Sequence, residues 1–185
     1  MRMRSLCTVV VVLCALSRVG AAEEDSLRET RRRALTDLRG VFVKTAVWSD
    51  ATRGWNLDLQ DLLHTDIELR LRKAEVPVFT SLRDVALSPG NPTLWARVRT
   101  WPAVGDCPVQ ARLELELEEE VLLTHESPVV AWATIWTAED HLYGKSQLND
   151  LRTYMADLVD QFINDYLAMN PKEQIETDLG TSEQN

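Results

Sequence analysis

Residues 109–118 read Val-Gln-Ala-Arg-Leu-Glu-Leu-Glu-Leu-Glu, so that Val109, Ala111, Leu113, Leu115 and Leu117 alternate with Gln110, Arg112, Glu114, Glu116 and Glu118. Successive side chains of a strand leave opposite faces of its sheet, and this stretch therefore reads as a strand with one apolar and one charged face. A sheet that is dry on one side and wet on the other is the signature of antiparallel pairing. The rest of the chain is read outward from this strand.

Upstream, residues 93–101 set Leu94, Ala96 and Val98 against Trp95, Arg97, Arg99 and Trp101. Downstream, residues 129–137 set Val129, Ala131, Ala133 and Ile135 against Val130, Trp132, Thr134 and Trp136. Both are strands by the same periodicity. The segments between them, which hold Pro102, Gly105 and Pro108 on one side and Ser127 and Pro128 on the other, are short enough to make the three strands an antiparallel meander. A further strand over 41–48 has Val41, Val43, Thr45 and Val47 on one side, and its place in the sheet is open. A helix beginning at Asn56 or Asp58 repeats Leu59, Leu63, Ile67 and Leu71. Another, starting at Ser146, repeats Leu148, Leu151, Met155, Leu158, Phe162 and Tyr166. Pro77 follows the first of these helices, and Asn170 and Pro171 end the second.

The expected fold is a two-layer α+β sandwich of the order strand, helix, three strands, helix. Its sheet is four-stranded and mostly antiparallel, with two long amphipathic helices on one face and a short N-terminal helix. Residues 41–170 form this single domain, and 23–40 hold the short helix, whose Arg31, Arg32 and Arg33 make a solvated face. The polar, acidic tail 171–185 is expected to be disordered.

Residues 1–22 read as a secretory signal peptide: Arg2 and Arg4, an apolar run over 5–16, then Gly20, Ala21 and Ala22 before Glu23, Glu24 and Asp25. Cleavage after Ala21 or Ala22 would give a secreted or periplasmic protein. Loss of Arg2, Arg4 and Arg18 with this leader takes the formal charge from −9 to −12, which disfavours nucleic acid as a partner. The apolar run is too short to span a bilayer, and no later segment comes closer. Cys7 and Cys14 leave with the leader, so Cys107 alone remains and no intramolecular disulfide can form.

The element order over 41–170 resembles LptE-like extracytoplasmic α+β modules of lipopolysaccharide assembly and the strand-helix domains of other envelope accessory proteins. Leu13, ahead of Cys14, departs from the lipoprotein pattern. The stretch 158–167, Leu-Val-Asp-Gln-Phe-Ile-Asn-Asp-Tyr-Leu, before Asn170 and Pro171, together with Thr134, Ile135 and Trp136, looks like a type of uncharacterised bacterial secreted protein. The resemblance implies an accessory role in the envelope and carries over no site residue.

Tryptophan supplies the first candidate site. Trp95 and Trp101 share a side with Arg97 and Arg99, and Trp132 shares one with Trp136, a composition enriched where proteins bind partners. Trp95, Arg97, Trp101, Trp132 and Trp136 are the expected contact residues; stiffening of the sheet by cross-strand aromatic pairs is the competing account. The second candidate is a loop over 139–145 that brings Glu139, Asp140 and His141 close to Tyr143 and Lys145. No HExxH, CxxC, GxSxG or phosphate-binding glycine pattern accompanies it, so no metal or cofactor is implied. The leading expectation is a non-enzymatic extracytoplasmic binding or scaffold module that meets an envelope protein, a lipid or a glycan. A small hydrolytic or metal-dependent enzyme using the 139–145 loop and a small-ligand or lipid carrier are the alternatives.

Overall fold

A computed structural model describes residues 26–50, 52–101, 110–124, 128–143 and 148–171. The leader, Cys107, His125, Lys145 and the tail beyond residue 171 lie outside the described residues. In chain order the elements are α1 (26–33), β1 (Phe42–Ser49), β2 (Gly54–Trp55), α2 (Leu57–Lys73), α3 (Leu82–Ala86), β3 (Thr93–Trp101), β4 (Gln110–Leu123), β5 (Val129–Tyr143) and α4 (Leu148–Met169).

The architecture is α+β with a mixed sheet of five strands in the order β2-β1-β3-β4-β5. The four-stranded expectation is corrected by one strand, and the place it left open is filled. The first strand lies inside the sheet and runs parallel to β3, with Val43 opposite Leu94 and Val47 opposite Val98. The connection from β1 to β3 travels through α2, and a helical crossover returns the chain to the end from which it started. The fifth strand, β2, is a two-residue edge that folds Gly54 and Trp55 back on Ser49 and Trp48, too short to leave a periodic pattern. The rings of Trp48 and Trp55 meet edge to face at 5.1 Å.

The alternating apolar residues do what their period requires. Leu113, Leu115 and Leu117 of β4 have no exposed surface, and Val43, Val47, Leu94, Ala96 and Val98 join them on the same face. α2 lies on β1, and α4 lies on β4 and β5, closing that face with Leu59, Leu63, Ile67 and Leu71 on one side and Met155, Val159 and Phe162 on the other. Each of these side chains other than Ala96 contributes about 1.5–3 kcal/mol through burial. Asn56 caps α2 by accepting the Leu59 N–H at 3.1 Å, and Arg70, Arg72 and Lys73 sit in the last turn, where the helix dipole favours cations. Arg70 to Asp160 and Arg152 to Asp66 tie α2 to α4. Both pairs are half-exposed, so water and salt screen them.

The arginine triplet of α1 divides its duties. Arg33 pairs with Glu29 one turn away, but Arg32 is not a free solvated side chain: its Nε donates to the buried Asp165 of α4 at 2.6 Å. Tyr166 Oη donates to the Leu38 carbonyl, and Asn170 Nδ2 donates to the Leu35 carbonyl. These bonds fasten the N-terminal segment to the last helix, while Leu35 and Leu38 enter the core.

One irregularity alters the meaning of β5. Leu117 faces Trp136, whereas Glu118 faces Thr134, so Ile135 is an extra residue in the ladder. Such a bulge leaves one residue unpaired and bends the strand. It also reverses the alternation. Trp132, opposite Glu120, keeps to the charged face, and Trp136 turns into the core, 1% exposed. The expectation that the two tryptophans share a face is therefore corrected.

β4 and β5 outrun their neighbour, because the pairing of β3 with β4 begins at Thr93 and Glu118. Residues 119–123 and 129–133 form a two-stranded arm beyond the part of the sheet that β1 and β3 share. Its root is held by the turn before β3, where Glu120 N–H donates to the Gly90 carbonyl and Asn91 Nδ2 donates to the Glu120 carboxylate. Gly90 adopts φ +75°, and a Cβ there would stand 3.0 Å from Glu119 Oε2, so glycine meets both the backbone and the space requirement.

Candidate functional site: the uncovered sheet face

The face of the sheet turned away from α2 and α4 is built by the charged phase of the alternation. On β1 it carries Lys44 and Trp48; on β3, Trp95, Arg97, Arg99 and Trp101; on β4, Arg112, Glu114, Glu116 and Glu118; on β5, Trp132, Glu139 and His141. Parallel pairing of β1 with β3 sets Lys44 beside Trp95 and Trp48 beside Arg99.

These side chains are engaged with one another. The ring of Trp95 has Lys44 Nζ at 5.0 Å and the Arg97 guanidinium at 4.9 Å from its centroid, and Arg99 lies 5.4 Å from that of Trp101. Contacts of this kind are worth about 0.5–1 kcal/mol at exposed sites. Arg97 forks between Glu116 and Glu118. Arg112 reaches Glu114 at 2.6 Å and Glu139 at 2.7 Å. Asp50 accepts from Arg99 and, at 2.6 Å, from Trp48 Nε1. The Arg99 bond first, and the Trp48 bond second, hold the Asp50 carboxyl below the usual range. The result is a row of cations, carboxylates and indoles locked in place.

Of the five expected contact residues, Trp95, Arg97 and Trp101 lie together on β3 and are half-buried. Trp132 is on the same face but out on the arm, 58% exposed. Trp136 is on the other side of the sheet, edge to face with Phe162 at 5.2 Å, and its indole N–H donates to Asp165 at 3.1 Å.

The expected 139–145 loop is strand as far as Tyr143. Alternation therefore sends Glu139 and His141 to the uncovered face and Asp140, which pairs with Leu113, to the helical side. The three groups do not converge: Glu139 is held by Arg112, His141 stacks on Tyr143 at 6.3 Å, and the Asp140 carboxylate accepts the His141 backbone N–H. Among the described residues no group of three or more His, Cys, Asp or Glu side chains could hold a metal ion. His64 sits on α2 beside Glu68.

The arm is a feature that the tryptophan pattern did not single out. Leu122, Leu123, Val129, Val130 and Trp132 are all 42% or more exposed. Their signal in the sequence is the run without charge that extends over 121–124 and 128–138, directly after Glu118, Glu119 and Glu120. A cleft of about 730 Å³ lies between α2 and α4, with Leu63, Ile67, Met155 and Val159 in its wall and Arg70 and Arg152 among its polar groups. Among the described residues, no helix is long and apolar enough to cross a membrane.

No family model matches this chain, and no curated protein does. Among solved structures, a single-substitution variant of dodecameric PelC from Paraburkholderia phytofirmans is similar at 13% identity and TM-score 0.37, covering 67% of this chain and 87% of that one. A minor lipoprotein from Acinetobacter baumannii is similar at 13% identity and TM-score 0.31, covering 72% of this chain and 94% of that one.

Proposed function

We propose that this protein is a non-enzymatic extracytoplasmic binding or scaffold module, an envelope accessory protein that meets its partner with the uncovered sheet face. The observation that supports this reading is the fixed row of Lys44, Trp95, Arg97, Arg99 and Trp101. Tryptophan and arginine dominate binding energetics where they are already held in place, because little side-chain freedom is then lost on association. The carboxylates that pin the arginines also leave the patch close to neutral, in contrast to the acidic chain as a whole. Such a surface suits a polar protein face, and the partner class proposed is an envelope protein.

The test is crosslinking of the tagged mature chain in its native envelope, with Arg97→Ala and Trp101→Ser compared with the parent. One partner, identified by mass spectrometry and recovered about tenfold less with either variant at unchanged melting temperature, is the expected result. Equal recovery with both variants would remove the face from the interaction. A second reading, a small-ligand or lipid carrier, rests on the cleft between α2 and α4, whose volume is in the range of small-molecule sites. Native mass spectrometry with a co-purified lipid, lost on Ala156→Trp in the wall of the cleft at unchanged melting temperature, would select it.

A further inference from the structure

We infer that a second copy of this chain pairs with the free edge of β5, joining two sheets through residues 129–135 about a two-fold axis centred on Trp132. β5 is the last strand of the sheet, and among the described residues no backbone group pairs with its outer side. Over 129–134 the strand reads Val-Val-Ala-Trp-Ala-Thr, without charge, proline or glycine. An exposed apolar edge of this composition is a template for another strand, and natural edges are ordinarily blunted by lysine, proline or cover. The half of β5 after the bulge has α4 over Trp136, Ala138 and Leu142, whereas the half before it, on the arm, is exposed or half-exposed at every residue.

The identity of the occupant follows from three properties of the arm. Its apolar residues face both ways, Val130 and Trp132 to one side and Val129 to the other, so an incoming strand must itself be apolar on both faces. This segment supplies that pattern to itself. A two-fold axis normal to the sheet keeps each face on its own side, so only residues of equal parity can oppose. Centring on Trp132 then sets Val130 against Thr134 and Ala131 against Ala133, with one indole against the other.

Charge is the second property. Among the described residues no ionisable side chain faces another in this register. The nearest like charges among them, the Glu118–Glu120 rows of the two β4 strands, are three strand spacings apart, about 14 Å. That is beyond the screening length of about 8 Å at physiological salt. The third is the placing of the polar residues. The apolar band is bounded by the glutamate triplet at its root and, in sequence, by His125 and Glu126 between its two strands. A protein strand matches a band this narrow. The ladder and its side chains bury on the order of 1,000 Å² over both copies, the size of a reversible, concentration-dependent dimer. In that dimer the two uncovered faces lie side by side on one ten-stranded sheet and address a repeated partner bivalently.

Sedimentation equilibrium of the mature chain across micromolar to submillimolar concentrations tests the inference. A monomer–dimer equilibrium that weakens at least tenfold with Trp132→Lys, at an unchanged monomer melting curve, is expected. With Cys107 replaced by serine, Trp132→Cys should form an intermolecular disulfide under mild oxidation, and Glu139→Cys should not. A chain that stays monomeric throughout overturns the inference, as does a dimer indifferent to Trp132→Lys or a crosslink equally strong at residue 139. A monomer whose Trp132 fluorescence shifts on neutral phosphatidylcholine vesicles would assign the arm to a lipid surface and overturn it likewise. None of these outcomes touches the partner test on Arg97 and Trp101, so the two readings fail separately.

Discussion

Trp132 and Trp136 stand four residues apart on one strand, in opposite surroundings: the first is 58% exposed and the second 1%. A single inserted residue, Ile135, makes the difference. Before it, β5 belongs to an arm with no helix upon it among the described residues; after it, the strand belongs to the core and its indole is anchored to Asp165. The contrast teaches that residue type says little about role when a bulge can transfer a side chain from one face of a sheet to the other.

The largest effect that sharpens this contrast is expected at Trp136. Trp136→Ala should destabilise the fold by about 3–5 kcal/mol through the cavity it leaves, whereas Trp132→Ala should stay within about 0.5 kcal/mol at monomer concentrations. Urea denaturation followed by far-ultraviolet circular dichroism measures both, and similar values would break the contrast. Next comes Asp165, 2% exposed, which accepts from both Trp136 and Arg32. Asp165→Ala strands a buried indole N–H and a guanidinium, for an expected loss of about 1–3 kcal/mol in the same assay. Asp165→Asn, which retains an acceptor, should lose less.

The smallest effect belongs to the arm. Burial against the Gly90 turn raises the Glu119 carboxyl above its ordinary value. The folded state then holds a proton that the unfolded state has already released. Stability therefore falls as pH climbs from the ordinary glutamate range through the raised value, and stays lower above it. Glu119→Gln should flatten that part of the stability profile and add a few tenths of a kcal/mol at neutral pH, the remaining solvent contact keeping the gain small. A profile identical to the parent's would show that Glu119 is solvated like the arm beyond it.

The legibility of this chain followed the contrast in its residues. β4 could be read because leucine and glutamate alternate without a break, and the Leu59-to-Leu71 and Leu151-to-Phe162 stripes fix the buried faces of α2 and α4. β5 could not be phased, because nearly every residue from Val129 to Ala138 is apolar or small and either face could have been the dry one. The bulge leaves no mark in such a run. β2 is too short for any period, and α3 is a single turn. The parallel pairing of β1 was available in principle, since a strand, a long helix and a strand in succession favour a crossover. Of the candidate site, the β3 row was visible from Trp95, Arg97 and Trp101. The grouping of Glu139, Asp140 and His141 dissolved once their segment proved extended.

The bonds from Arg32, Leu35 and Leu38 to Asp165, Tyr166 and Asn170 connect positions 128 to 135 residues apart. Contacts of such long range are reached late, after the intervening loops have closed. A chain that emerges N-terminus first has its opening segment ready long before there is anything for it to grip, and Leu35 and Leu38 must wait uncovered until α4 has appeared. This fold therefore cannot close before α4 has emerged, and a molecular clasp between its first and last described elements is the act that seals it.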